Sequence, residues 1–347
     1  MTTTPDDVTH QSTTGDDMTS SSSRGIAYYF ESAIVCIGVV GTAANALILY
    51  AMVASKQHKK QLLIFNQNVL DLFSSILLVI IYGAKLCNIP LIGSVGYWLC
   101  KWLLSENILW CVVIAAKFNL IFVTIERYVK VVHRTKSKKI LRKWVIYATA
   151  VFSWIAGFAI SIGITLTTTE VIDGVCYAYV FWSTRASQLA YGIFYFMFFL
   201  VFITAIFIFC YGRILIVIRH QASVMASHST TGSSTQQQQK ANHLQVNIVK
   251  TMVFVSVFYV ISDLPMDVYY LLLNINTNMT IIESGYYTAL FVSFFYICAN
   301  PFVYAAKFEP VKRILIRLIP CRKTLVQPNE SVEMADSTAT RTAQQRY

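Results

Sequence analysis

"VVIAAKFNLIFVTIERYVKVV", residues 112–132, is an apolar run with a lysine in its middle and an acid–base pair near its end. Its length suits a helix crossing a bilayer, whose hydrocarbon core asks for roughly 20 apolar residues. A lysine that deep is costly unless something nearby shares its charge. Lys117 therefore demands a partner, and Glu126-Arg127-Tyr128 marks where the run meets headgroups and loops.

The rest of the chain repeats the pattern. Of its 347 residues 56% are hydrophobic and 13% charged, where a soluble domain carries about 25% charged residues. Seven apolar blocks, near 26–54, 62–87, 98–129, 143–167, 186–218, 246–273 and 284–306, are long enough to span a membrane. They are too long for the ten-residue alternating strands of a barrel. The expected fold is an all-α membrane protein, a seven-helix bundle over 26–306. Polar segments flank it: a disordered tail over 1–25, a flexible loop over 220–243, and a disordered tail over 322–347. Residues 307–321 read as an amphipathic juxtamembrane helix. Residues 1–25 contain no apolar stretch of a leader, so the first span is expected to act as its own insertion signal.

Lysine and arginine placement sets the expected orientation. Lys56, Lys59 and Lys60 follow the first span, Lys130 to Lys143 hold seven bases after the third, and Lys307 to Lys323 hold six after the last. The alternate segments are poor in base. The N-terminus is read as extracellular and the C-terminus as cytoplasmic, at the plasma membrane. The net charge of +11 then reflects this bias and contact with lipid headgroups, not a nucleic-acid surface.

Chemistry-bearing motifs are sparse. There is no HExxH, GxSxG or phosphate loop, and no Cys or His cluster at metal spacing. Asp71 has no partner of the kind an intramembrane protease needs. An enzyme is not expected, nor is a cofactor. Cys100 and Cys176 fall on the expected outer side, where a disulfide is the preferred reading, with Cys87 a competitor on the same face. Cys321 follows the basic amphipathic stretch, as a palmitoylation site or a plain thiol. Asn278-Met279-Thr280 is an outer glycosylation acceptor. The ionisable residues inside the spans are Asp71, Glu106, Lys117, Glu126, Arg127, Asp263 and Asp267.

These spans and five local patterns together resemble the rhodopsin-like (class A) G-protein-coupled receptors. The patterns are Gly41-x-x-x-Asn45, Asn66-x-x-x-Leu70-Asp71, Cys100-Lys101 with Glu126-Arg127-Tyr128, Trp154 followed by Pro265, and Asn300-Pro301-Phe302-Val303-Tyr304 with Phe308. The resemblance implies that Glu126 holds Arg127 at rest, and that Arg127 meets a heterotrimeric G protein when the sixth helix swings out about Pro265. Tyr211 and Tyr304 would support that open state. Asn45, Asp71 and Asn300 would form a polar core. Ser331, Ser337, Thr338, Thr340 and Thr342 would offer phosphorylation sites for arrestin.

Departures from the family pattern are informative. Asp263 replaces a tryptophan, Tyr259 a phenylalanine and Gln245 an acid. Ala116 and Tyr296 stand where polar sodium ligands are common, which argues against sodium at Asp71. Cys100 and Arg127 lie 27 residues apart, about two more than usual, so a bulge is expected in the upper third helix. Phe294 occupies the retinal-lysine position, which argues against an opsin, and Leu109 stands where amine receptors carry an acid.

Lys117 precedes Arg127 by ten residues, roughly 15 Å of helix, and is expected to pair with Asp263 or with Asp71. Asp263 and Asp267 share one helix face that is expected to look into an outer cavity, with Glu106 as a third acid and Tyr270 on the wall. Surplus acid points to a cationic ligand, a basic peptide ahead of a small amine. The competing readings are a non-signalling binder and a small transporter or channel.

Overall fold

The computed structural model describes residues 14–179, 182–227, 235–276, 283–307 and 309–318. Seven helical stretches long and apolar enough to cross a membrane run over Gly25–Ala54, Leu62–Leu86, Gly93–Val132, Lys143–Thr168, Arg185–Gln221, Val246–Ile275 and Ser284–Val303, within a few residues of the seven apolar blocks. A backbone in lipid must satisfy every N–H and C=O internally, which leaves the helix as the solution for such runs.

The first span belongs to α1 (Thr14–Ala54) and the second is α2 (Leu62–Leu86). The third is composite: α3 (Gly93–Leu99), a π-helical segment Cys100–Leu104, and α4 (Asn107–Val132). Between the last two, Glu106 adopts φ +62°, a conformation uncommon for a residue with a Cβ. This is the bulge that the long Cys100–Arg127 spacing anticipates. After α5 (Arg134–Ile140) comes the fourth span, α6 (Lys143–Thr168). The fifth joins α7 (Arg185–Tyr195), a π segment Phe196–Phe202 and α8 (Ile203–Ser227). The sixth lies in α9 (Thr235–Ile275) and the seventh in α10 (Glu283–Lys307), followed by α11 (Glu309–Leu318).

Two expected disordered segments are partly helical. Residues 14–25 extend α1, and within the loop expected over 220–243 the residues to Ser227 belong to α8 and those from Thr235 to α9. Once a span has nucleated a helix, further residues add at little cost. Glutamine, lysine and alanine in the Thr235–Ala241 stretch are moderate to good helix formers.

The third span is the axis of the bundle, with the largest buried share of the seven. The fourth lies against it through Ser153, Gly157, Ser161 and Thr165, one small side chain per turn and all buried. Such stripes let helix backbones approach closely where lipid offers no hydrophobic drive. A Cβ on Gly157 would collide with the Cys111 carbonyl and lie 2.7 Å from the Ala115 nitrogen. Gly41 closes the first span against the seventh likewise, since a Cβ there would lie 2.6 Å from Cys298 Sγ. Outward faces expose Val39, Phe209, Ile216 and Ile261, a surface suited to acyl chains rather than water.

At one end an antiparallel hairpin, β1 (Glu170–Ile172) with β2 (Val175–Tyr177), pairs Val171 with Cys176. Cys176 is disulfide-bonded to Cys100, while Cys87 is free and exposed. The opposite end carries Arg127, Lys130 and the basic α5.

Candidate functional site

The hairpin caps a cavity of about 980 Å³, at the upper end of drug-sized pockets. One wall is charged. Glu106, aimed from the break in the third span, accepts from the Tyr82 hydroxyl at 2.7 Å and the Lys85 ammonium at 2.5 Å. Glu31 shares this wall, so two acids face one base. The opposite wall is aromatic and amide-bearing, with Tyr179, Tyr191, Tyr270 and Asn274. Burial raises the Tyr179 phenol above its ordinary pKa, partly offset by the Thr165 hydroxyl donating to it at 3.2 Å.

Below this cavity Lys117 is buried at 3% exposure. Its ammonium donates to Asp263 of the sixth span and to the Tyr195 hydroxyl at 3.4 Å, and Asp267 lies 4.0 Å away. The Tyr195, Phe199 and Tyr259 rings surround it at 5.3–5.8 Å from their centroids, close enough for cation–π attraction. Ser293 of the seventh span donates to the other Asp263 oxygen at 2.9 Å. Four spans, the third, fifth, sixth and seventh, thus meet on one charge pair.

Deeper still runs a polar chain across four spans. Trp154 donates to Asn66 at 3.2 Å, Asn66 to Asn119 at 2.9 Å, and Asn119 to Gln67 at 2.8 Å. Gln67 and Asn300 then donate to the two Asp71 oxygens at 3.2 and 3.0 Å. A narrow cavity of about 20 Å³, lined by Asp71, Lys117, Tyr259 and Asp263 among others, joins this chain to the charge cluster. It has room for about one water molecule.

At the basic end Arg127 donates to Gln61 and, at 3.4 Å, to Glu126. Glu126 also takes Lys130 on its other oxygen. Tyr211 joins the third and sixth spans, with its hydroxyl 3.1 Å from Thr124 and 3.0 Å from Ser256.

A family model described as "7 transmembrane receptor (rhodopsin family)" matches residues 44–304. The chain belongs to this rhodopsin family of seven-transmembrane receptors. Among solved structures it resembles squid rhodopsin, with a TM-score of 0.71 and 15% identity over 90% of this chain and 91% of that one, a likeness of fold. No curated protein matches the chain.

Set in the rhodopsin-family bundle, the sequence candidates fall into separate groups. Lys117 contacts Asp263, while Asp71 is bonded to Gln67 and Asn300. Asn45 bonds the Gly41 carbonyl at 3.0 Å and Ser75 at 3.5 Å, and Ser75 in turn donates to the Asp71 carbonyl. Pro265 and Pro301 lie inside α9 and α10. Glu126, Arg127 and Tyr128 end the third span as read. Tyr304 lies on α10 with its side chain outside the described residues, as are Asn278, Phe308, Cys321 and the tail from 319 onward.

Three pocket candidates need correction. Asp263 and Asp267 do not face the large cavity. Each is folded inward to Lys117, because a desolvated ammonium draws the nearest counter-charges. Met266 and Tyr270 face the cavity in their place. Leu109 is fully buried in the core, since the break at Glu106 changes the helix phase and brings Trp110 and Ile114 to the wall. Glu106 and Tyr270 do line it. Glu106 is thus held by Lys85, apart from the Asp263 cluster.

Sequence reading did not single out Glu31, Lys85, Gln61, Gln67, Asn119 or Tyr195. Most were visible as polar residues inside apolar blocks. Gln67 stands one turn before Asp71 on the same helix face, whereas Asn119 meets Gln67 only once the second and third helices are packed together.

Proposed function

We propose that this rhodopsin-family receptor sits in the plasma membrane with its hairpin end outside and passes an extracellular signal to a heterotrimeric G protein at its basic end. The ligand is cationic, a basic peptide before a small amine. The observation that carries this reading is the large cavity under the hairpin, where Glu31 and Glu106 face one lysine and tyrosines line the far side. An ammonium or guanidinium group gains both from a surplus carboxylate and from aromatic faces. The area beneath the hairpin suits the end of a chain as well as a compact molecule.

Arg127 is the expected contact for the G protein, released from Gln61 and Glu126 when the inner ends of the spans part. Arrestin is a further expected partner, through the serines and threonines beyond 322.

Basal G-protein activation across a subtype panel, with wild type and Arg127→Ala at matched surface levels, is the test. A basal signal that falls at least about tenfold in the variant, a coupling of about 1.4 kcal/mol, supports the reading and identifies the G protein. A signal equal in both would overturn the role given to Arg127.

A further inference from the structure

Two buried carboxylates compete for one buried ammonium. Asp263 and Asp267 lie one turn apart on the same face of the sixth span, about 6 Å along its axis. Lys117 is bonded to Asp263 and stops 4.0 Å from Asp267 Oδ1. Asp267 is 2% exposed, and its Oδ2 has no hydrogen-bond partner among the described residues. A buried carboxylate oxygen without a donor is unfavourable, and a second arrangement in which Lys117 reaches Asp267 would remove that cost.

We propose that Asp267 is a positioning residue for the switch, the waiting acceptor to which Lys117 is handed when the sixth span moves against the third. A charge-assisted bond is about 2.7–2.9 Å long, so the ammonium needs to close only about 1.2 Å to reach Asp267. Displacements of that size are ordinary for helices at packed interfaces. The Tyr195, Phe199 and Tyr259 rings surround Nζ with either acid as partner, so the exchange need not bring the charge into lipid. Tyr195 connects the exchange to the ligand cavity: it lines that cavity and accepts from Lys117. Ser293 is left as a donor to Asp263 once Lys117 departs. The resting state is therefore the Asp263-bonded one, and the displaced state the Asp267-bonded one.

This inference rests on the receptor reading for its physiological meaning, but its test does not need a G protein. Spin labels on Lys139→Cys of α5, just beyond the third span, and Lys250→Cys of the sixth span, both exposed, report how far the sixth span stands from the third at the basic end. The full chain would be measured in lipid nanodiscs with Cys36, Cys87 and Cys321 replaced by serine. Asp263→Asn leaves Asp267 as the sole charged acceptor and is expected to enlarge the long-distance population at least about threefold. That is the low end of what coupling between contacting groups produces. Asp267→Asn is expected to shrink it by a similar factor, and Asp267→Glu to restore it. Asp267→Ser carries the same expectation should the asparagine variant not fold.

Shifts of the same sign in both asparagine variants, or no shift with Asp267→Asn, overturn the proposal. A merely structural Asp267 would lower stability without opposing the effect of Asp263→Asn. Basal signalling in the same variants separates the two readings. Opposed distance shifts without any signal count against G-protein coupling alone, and flat distances with signal intact count against the exchange alone.

Discussion

At the scale of single residues, the cost of Lys117 organises its surroundings. Lys117→Met leaves Asp263 and Asp267 facing each other without a cation, and removing one partner of a buried pair costs about 3–5 kcal/mol. Lys117→Met is therefore expected to lower the melting temperature and surface level of the receptor, more than Asp263→Asn does. Asp263→Leu added to Lys117→Met should recover part of the loss. Surface staining and thermal melts of the three variants check this, and equal values across them would contradict it. The lysine's need for a partner was legible from its place in an apolar run. The choice of Asp263 over Asp71 was not, because helix rotation decides which acid comes within reach. The aromatic ring set was not legible either, since Tyr195 arrives from the fifth span 78 residues away.

At the scale of elements, hydrophobic block length located all seven spans, and their ends moved by only a few residues. What the sequence could not disclose was phase. A bulge was expected in the third span, yet its position at Cys100–Leu104 and the left-handed Glu106 depend on packing under the disulfide. That phase change moved Leu109 off the cavity wall. Close approach of the third and fourth spans depends on Gly157. Gly157→Val places a side chain against backbone atoms of Cys111 and Ala115, and overpacking typically costs about 1–3 kcal/mol. The variant is expected to fall in surface expression and melting temperature, whereas Gly163→Val, with open space around its position, should not. Equal loss in both would mean that the helices adjust freely at that contact.

At the scale of the whole molecule, the hairpin, the break in the third span and the cavity form one assembly under the Cys100–Cys176 bond, which closes a separation of 76 residues. Replacing both cysteines with serine is expected to cost about 2–4 kcal/mol, read as a lower melting temperature of the receptor in detergent. An unchanged melt would place the stability of that end in the helices alone. The pairing was legible from which cysteines share a face of the membrane, although Cys87 could be set aside only with the loop in place. The same long-range logic bears on biogenesis. Lys117 and Asp263 are 146 residues apart in the chain, so at ~5–20 residues per second of synthesis the third span is made roughly 7–30 s before its counter-charge. During that interval an uncompensated ammonium sits midway along a newly made helix. The charge pair at the centre of the bundle can therefore close only after the sixth span is made, when most of the chain exists.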